Sequence, residues 1–231
     1  SNGIGFAIPV EMVRTVVTAA LEDGEIIRPW LGARLQPVTN DLAQSIGLDR
    51  PRGAIVAELW PGGAADEAGL RRGDVVIAVD GADINDEAGA RFRFATRTIG
   101  ETADLTVLRD GERLTVTVEA EPAPGDPQGE RLTVRGRNPF QGAEVVELSP
   151  AFNEENGIDP FQSGVVVFSV NRRSAADYFG FQPGDRIVAV DGAGVNSLDD
   201  LQAALEAGEG QRRWPIEIDR RGERFSRVLS L

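Results

Sequence analysis

The side chains able to do acid–base chemistry in this sequence are almost all carboxylates. Its 231 residues include 37 Asp and Glu, no His and no Cys. Without histidine, a Ser-His-Asp or Cys-His nucleophilic machine cannot be assembled from these residues. Histidine and thiolate metal sites are excluded with it, and so are disulfides and thiol catalysis. No catalytic residue, no metal ligand and no cofactor site is therefore assigned. Hydrolysis by carboxylates alone stays formally open. A net charge of −13 disfavours nucleic acid or an anionic membrane as the main partner. No apolar run reaches the roughly 18 residues of a membrane-spanning helix.

The elements that would position any site alternate between short strands and short helices. Residues 3–8 read as a strand, followed by an amphipathic helix over Val10–Asp23, whose apolar positions recur at helical spacing. The sequence opens inside that strand with no secretory signal, the pattern of a piece of something longer. Trp30–Val38 reads as a strand, Thr39–Gly47 as a short helix and Gly53–Leu59 as a strand. Ala64–Ala68 is a single helical turn, and Asp74–Val79 is a buried strand ending in an Asp80-Gly81 turn. Asn85 is the expected cap of a helix over 86–97. Thr102–Leu108 and Arg113–Glu119 form a hairpin about Asp110-Gly111.

Residues 120–130 hold three prolines and no large apolar side chain, and read as a linker. Arg131–Gly142 is basic and irregular. Strands are expected at Val145–Leu148, Val165–Val170, Arg186–Val190, Pro215–Asp219 and Phe225–Leu229. Helices are expected at Pro150–Gly157 and after Ser197, where Ser197 to Asp200 forms a capping box with Asp in the fourth place.

One stretch repeats. Residues 53–85 align with 164–196 at an offset of 111 without a gap, and 14 of the 33 paired positions are identical. Arg109, Gly111, Glu112 and Arg113 fall on Arg220, Gly222, Glu223 and Arg224 at the same offset. One module is used twice. Gly73-Asp74 and Gly184-Asp185 precede buried strands: the glycine permits a positive φ, and the Asp accepts local backbone hydrogen bonds. These shared residues are scaffold.

The paired pattern, G-x-V, then Ala-Ala, then G-(L/F)-x-x-G-D and V-D-G, resembles the PDZ domain in its bacterial, circularly permuted form. The resemblance implies a mainly β fold with short helices: two tandem, partly open β-barrels or sandwiches after a linker helix. The expected domains are 29–121 and 143–231, with 122–142 as linker and 1–28 as a preceding strand and helix. Pro29-Trp30-Leu31-Gly32-Ala33 then resembles the family's carboxylate-binding loop, with Trp30 and Ala33 departing from the consensus. Successive backbone N–H groups in such a loop form an anion nest, and an extended peptide adds to the free edge of the strand that follows. The implied groove comprises Trp30, Leu31, Gly32, Ala33 and Leu35 with Ala90, Arg91 and Phe94 of the helix, leaving Phe92 for the core. The alternative places both phenylalanines in the core and makes Trp30 an ordinary packed aromatic.

In the second module the corresponding groove is Ala143, Glu144, Val145, Leu201 and Leu205. There the Leu-Gly pair is lost and Glu144 brings negative charge near the nest.

Gly3-Ile-Gly-Phe-Ala-Ile-Pro9 and the helix after it are similar to the end of the protease domain in HtrA/Deg serine proteases, where two PDZ modules follow. That resemblance implies a regulatory, peptide-binding region of a cell-envelope protease in the periplasm. Its implied partners are unfolded or C-terminal segments of substrates, its own protease domain and sister subunits, with no nucleic acid. The family's Gly-Asn-Ser-Gly-Gly catalytic segment is absent from these residues, so the region itself is expected not to be an enzyme. The alternative is a purely structural role, with both grooves occluded.

Overall fold

A computed structural model describes residues 27–231. The strand and helix expected before residue 27 lie outside the described residues. The described residues divide into two compact units on either side of a boundary between Ala123 and Pro124. Each is an open antiparallel sheet with short helices at its margins.

In the first unit, β1 (Ala33–Pro37) is followed by α1 (Asn40–Ser45), β2 (Ala54–Leu59), α2 (Ala64–Glu67), β3 (Val75–Val79), β4 (Ala82–Asp83), α3 (Glu87–Ala95), β5 (Thr102–Arg109) and β6 (Glu112–Glu119). The sheet order is β1-β2-β3-β5-β6, with β4 paired to β3. β1 starts later than its sequence pattern suggests, because Gly32 takes a φ of +71° and turns the chain before the ladder can form. The start of α3 also differs. Its N-cap is Asp86, whose carboxylate accepts from Gly89 N–H at 2.8 Å. The Asn85 carbonyl is engaged instead by Gly53 N–H at 3.1 Å. A side chain at Gly89 would crowd that Asp86 carboxylate at 3.3 Å, which accounts for a glycine inside a helix.

The second unit repeats the plan with an added strand: β7 (Arg131–Thr133), β8 (Ala143–Leu148), α4 (Pro150–Glu155), β9 (Gly164–Val170), α5 (Ala175–Tyr178), β10 (Arg186–Val190), β11 (Ala193–Gly194), α6 (Leu198–Ala207), β12 (Arg213–Arg220) and β13 (Glu223–Ser230). The order is β13-β12-β10-β9-β8-β7, with β11 paired to β10. The irregular reading of 131–142 is thus corrected at its start, where 131–133 is a strand. The Ser197–Asp200 capping box forms as expected.

The repeat is visible in backbone detail. Asp80-Gly81, Asp110-Gly111, Asp191-Gly192 and Arg221-Gly222 all carry positive φ at both positions, the requirement of a tight hairpin with a primed turn. Bulges recur too, between Val76 and Ala78 in one sheet and Ile187 and Ala189 in the other. The core of the first unit gathers Leu31, Leu35, Val56, Ala90, Phe94, Leu105 and Val118. In the second unit Val134, Phe140, Val145, Ile187, Leu201 and Trp214 play that part.

Candidate functional site

The first groove is built where the chain enters β1. Leu31 and Gly32 spend their carbonyls inward, accepting from Ala65 N–H (3.1 Å) and Trp60 N–H (2.8 Å). Trp30 donates its N–H to the Glu121 carbonyl at 2.8 Å. Among the described residues, no backbone carbonyl accepts from the N–H of Leu31 or of Gly32. Two adjacent donors with no backbone acceptor among the described residues, beside a left-handed glycine, have the form of a backbone nest. β1 pairs with β2 along one edge only, so its other edge has no strand beside it among the described residues.

Leu31, Leu35, Ala90 and Phe94 come together in one buried cluster, with Ala33 packed against it. Ala90 and Phe94 supply the inner face of α3. Arg91 is exposed and so is Phe92, at 45%. The expectation that Phe92 fills the core is therefore corrected: the i, i+4 face of Ala90 and Phe94 turns inward, and Phe92 lies on the opposite side. Trp30 is half-buried and meets Trp60 edge-on, with ring centroids 6.1 Å apart. It is a packed aromatic flanking the loop.

The second groove has the same backbone plan. Gln141 and Gly142 accept from Ala176 N–H (3.2 Å) and Asn171 N–H (2.9 Å), as Leu31 and Gly32 accept from Ala65 and Trp60. Gly142 has a φ of +84° against +71° at Gly32. The loop of the second unit is thus Phe140-Gln141-Gly142-Ala143, one residue earlier than an offset of 111 places it. Leu31 has given way to Gln141, but the glycine is retained. This corrects the expectation that the whole pair is lost.

Here the donors are spent. Gln141 N–H reaches the Asn138 carbonyl (3.2 Å), Gly142 N–H the Val134 carbonyl (3.0 Å) and Ala143 N–H the Phe140 carbonyl (2.9 Å). The strand edge is spent as well. β7 lies antiparallel along β8, pairing Arg131 with Val146, Leu132 with Val145 and Thr133 with Glu144. The ladder continues at both ends, through Glu147 N–H to the Glu130 carbonyl (3.0 Å) and Val134 N–H to the Ala143 carbonyl (2.8 Å).

The side chains follow the ladder. Val134, 3% exposed, shares a cluster with Phe140, Ala143, Val145, Leu201 and Ala204, and Leu132 and Leu205 pack against it. Leu201 and Leu205 thus line the second groove from α6. Glu144 does not charge the nest. It turns to β9, where its carboxylate accepts the Ser169 hydroxyl at 3.1 Å. Glu147 performs the neighbouring polar task, accepting Leu198 N–H at 2.8 Å and tying β8 to the start of α6. The signal for the added strand was local: Leu132 and Val134 alternate with Arg131, Thr133 and Arg135.

Comparison with known proteins fits this geometry. The PDZ domain family matches residues 29–120 and again 166–220, together more than half of the chain. The chain belongs to the PDZ-domain family. It is also similar along nearly its whole length to proteins named probable periplasmic serine endoprotease DegP-like. The relative from Rhizobium meliloti is 33% identical over 96% of this chain and 45% of its own length. The one from Halomonas elongata is 31% identical over 99% of this chain and 48% of its own. The chain spans about half the length of the curated relatives it matches. Among solved structures, the HtrA-type protease AlgW with decapeptide is 34% identical over 55% of this chain and 39% of that one, with a TM-score of 0.43. The PDZ region is thus similar to that of DegP-like proteins, and the names of these relatives place it in the periplasm.

Proposed function

We propose that the first PDZ domain is a receptor for extended, C-terminal or unfolded segments of other proteins, and that it regulates the protease of a longer DegP-like chain. The observation that carries this reading is the contrast between the two loops. In the second unit, Gly142 N–H and the Ala143 carbonyl hold an extended segment by its Val134 main chain. The equivalent Gly32 N–H stands without a backbone acceptor among the described residues, beside a strand edge that carries no partner there. An incoming peptide would add antiparallel to β1 by main-chain hydrogen bonds, with alternate side chains choosing the pocket. Its terminal carboxylate would take the Leu31 and Gly32 donors.

Substrate cleavage is not assigned to these residues, because the sequence has no histidine to serve a Ser-His-Asp machine. The region selects and signals, and chemistry belongs to the rest of the parent protein. Recognition by so small a contact is weak, of order micromolar in dissociation constant, and sister subunits would add avidity.

The test is fluorescence anisotropy with a labelled peptide ending in Leu-Thr-Val, compared with the same peptide amidated at its C-terminus. The free acid is expected to bind at least tenfold more tightly. Gly32→Val, which forces a β-branched residue into a left-handed position, should abolish that preference. Equal binding of acid and amide, or no binding from a library of C-terminal peptides, would sink the recognition claim. The filled groove of the second unit favours a second reading for that unit alone, assembly of subunits, which sedimentation of the full chain reads directly.

A further inference from the structure

We infer that residues 130–134 are a tethered ligand of the second PDZ domain, gating a peptide site that takes extended chains with aliphatic side chains at alternate positions. This rests on residues of the second unit and does not require the first groove to bind anything.

Three observations carry it. First, the segment occupies the edge of β8 by ladder hydrogen bonds from Glu130 to Val134, and β8 is the strand that corresponds to β1, whose same edge carries no strand among the described residues. Second, it satisfies the loop as a ligand would: Val134 gives its carbonyl to Gly142 N–H and its N–H to the Ala143 carbonyl. Third, its side chains alternate in use. Leu132 and Val134 pack into the cluster under α6, while Arg131 lies outside with its guanidinium 4.0 Å over the exposed Phe168 ring.

The attachment is local. β7 has three residues, and the segment anchors two apolar side chains, Leu132 and, just past the strand, Val134. Before it lie Gly125 and Gly129, both at positive φ. Gly129 sits so close to Phe152 and Val146 that a Cβ would approach them to 2.6 and 2.7 Å. A short tether holds its ligand at an effective concentration of about a millimolar. Against an intrinsic dissociation constant of about 10 µM, the groove would be closed about a hundred times more often than open. An external peptide would then meet a site weakened about a hundredfold. Such a segment yields to a high local concentration of extended chain and ignores a low one.

The experiment is amide NMR and hydrogen exchange on the full chain, with the peptide Arg-Leu-Thr-Val bearing a free C-terminus as probe. Leu132→Pro removes a ladder donor, and Val134→Ser removes the apolar anchor while keeping the backbone; amides around Trp214 report whether the second unit stays folded. In the unaltered chain, the amides of residues 142–147 should exchange slowly and ignore the probe at concentrations of about 100 µM. In either variant those amides should lose protection, and the probe should then restore it with an affinity about a hundredfold higher than before. The inference falls if residues 142–147 keep full protection in both folded variants. It also falls if they open without responding to the probe, or if the unaltered chain responds at the same concentrations. Silence at residues 30–35 alone would count against the first groove and leave this inference standing.

Discussion

Arg109 clamps the carboxylate of Asp74 from 35 positions away, its Nε and Nη2 donating at 2.7 and 2.6 Å. Nη2 also reaches the Gly69 carbonyl at 2.9 Å. Asp74 is 1% exposed and accepts Arg71 N–H as well, at 2.8 Å. The second unit repeats the arrangement: Arg220 donates to Asp185 at 2.5 and 2.7 Å and to the Gly180 carbonyl at 2.9 Å, and Asp185 accepts Gln182 N–H at 2.9 Å. The hydrogen bond to its carboxylate raises each guanidinium above its ordinary range, so both arginines stay charged throughout the accessible pH range.

Removing one partner of a buried ion pair leaves the other unpaired, which costs about 3–5 kcal/mol. Arg109→Met is expected at the upper end of that range. Arg220→Met belongs at the lower end, because its side chain is more exposed, 31% against 18%. Arg109→Lys should rescue little, since an ammonium lacks the planar fork. Urea denaturation of the full chain measures all three. If Arg109→Met shifts the transition by less than about 1 kcal/mol, the pair is ornamental.

The start of α6 carries a reciprocal cap. Ser197 Oγ accepts Asp200 N–H at 3.1 Å, and Asp200 returns the bond to Ser197 N–H at 3.2 Å and Asn196 N–H at 2.9 Å. Ser197→Ala should cost about 1 kcal/mol. Because Glu147 still holds Leu198 N–H, the helix should remain in place. Thermal melting reads the loss, and circular dichroism should show the helix content unchanged.

Asp219 supplies a pH-dependent contribution. Gly222 N–H, donating at 2.8 Å, is the main cause of a carboxyl held below its ordinary value, with the Arg186 guanidinium at 3.2 Å adding to it. A depressed folded-state pKa stabilises the fold fully above the unfolded value of about 3.9, and that stability is lost as pH falls through the folded value. The unaltered chain should therefore be more stable than Asp219→Asn at neutral pH. The gap should narrow steadily below about pH 4. A gap that is constant from neutral pH down to about pH 2 would show that the carboxylate charge is irrelevant.

The scaffold was legible in the sequence because its signals are local and occur twice. Gly-Asp before a strand, Asp-Gly at a turn and Ser197 with Asp200 each fix a few neighbouring dihedrals. The grooves were less legible because they depend on register. One more residue separates Gly157 from Gly164 than Gly47 from Gly53, so the offset of 111 that holds downstream becomes 110 at the loops, and Gly142 is the residue that corresponds to Gly32. The strand 131–133 was hidden by its length and by the Pro- and Gly-rich run before it. The Asp74–Arg109 pair spans too much sequence for periodicity to detect. Its trace was the recurrence of Arg109 as Arg220 in the repeat.

Two glycines separate a steric demand from a conformational one. Gly208 ends α6 at a φ of −86°, which any residue adopts. A Cβ there would lie 2.4 Å from Gln211 Nε2 and 2.6 Å from the ring of Trp214. Trp214 is fully buried and cannot move aside, so Gly208→Ala is expected to cost about 1–3 kcal/mol through overpacking. Gly47 is the reverse case, with a φ of +74° and nothing within 4 Å of an added Cβ. Gly47→Ala should cost about 1–2 kcal/mol of left-handed strain, and Gly47→Asn should recover much of it. No such rescue is available to Gly208, where asparagine is larger than alanine and must destabilise further. Denaturation midpoints of the four variants decide this, and a Gly208→Asn protein more stable than Gly208→Ala would refute the packing argument.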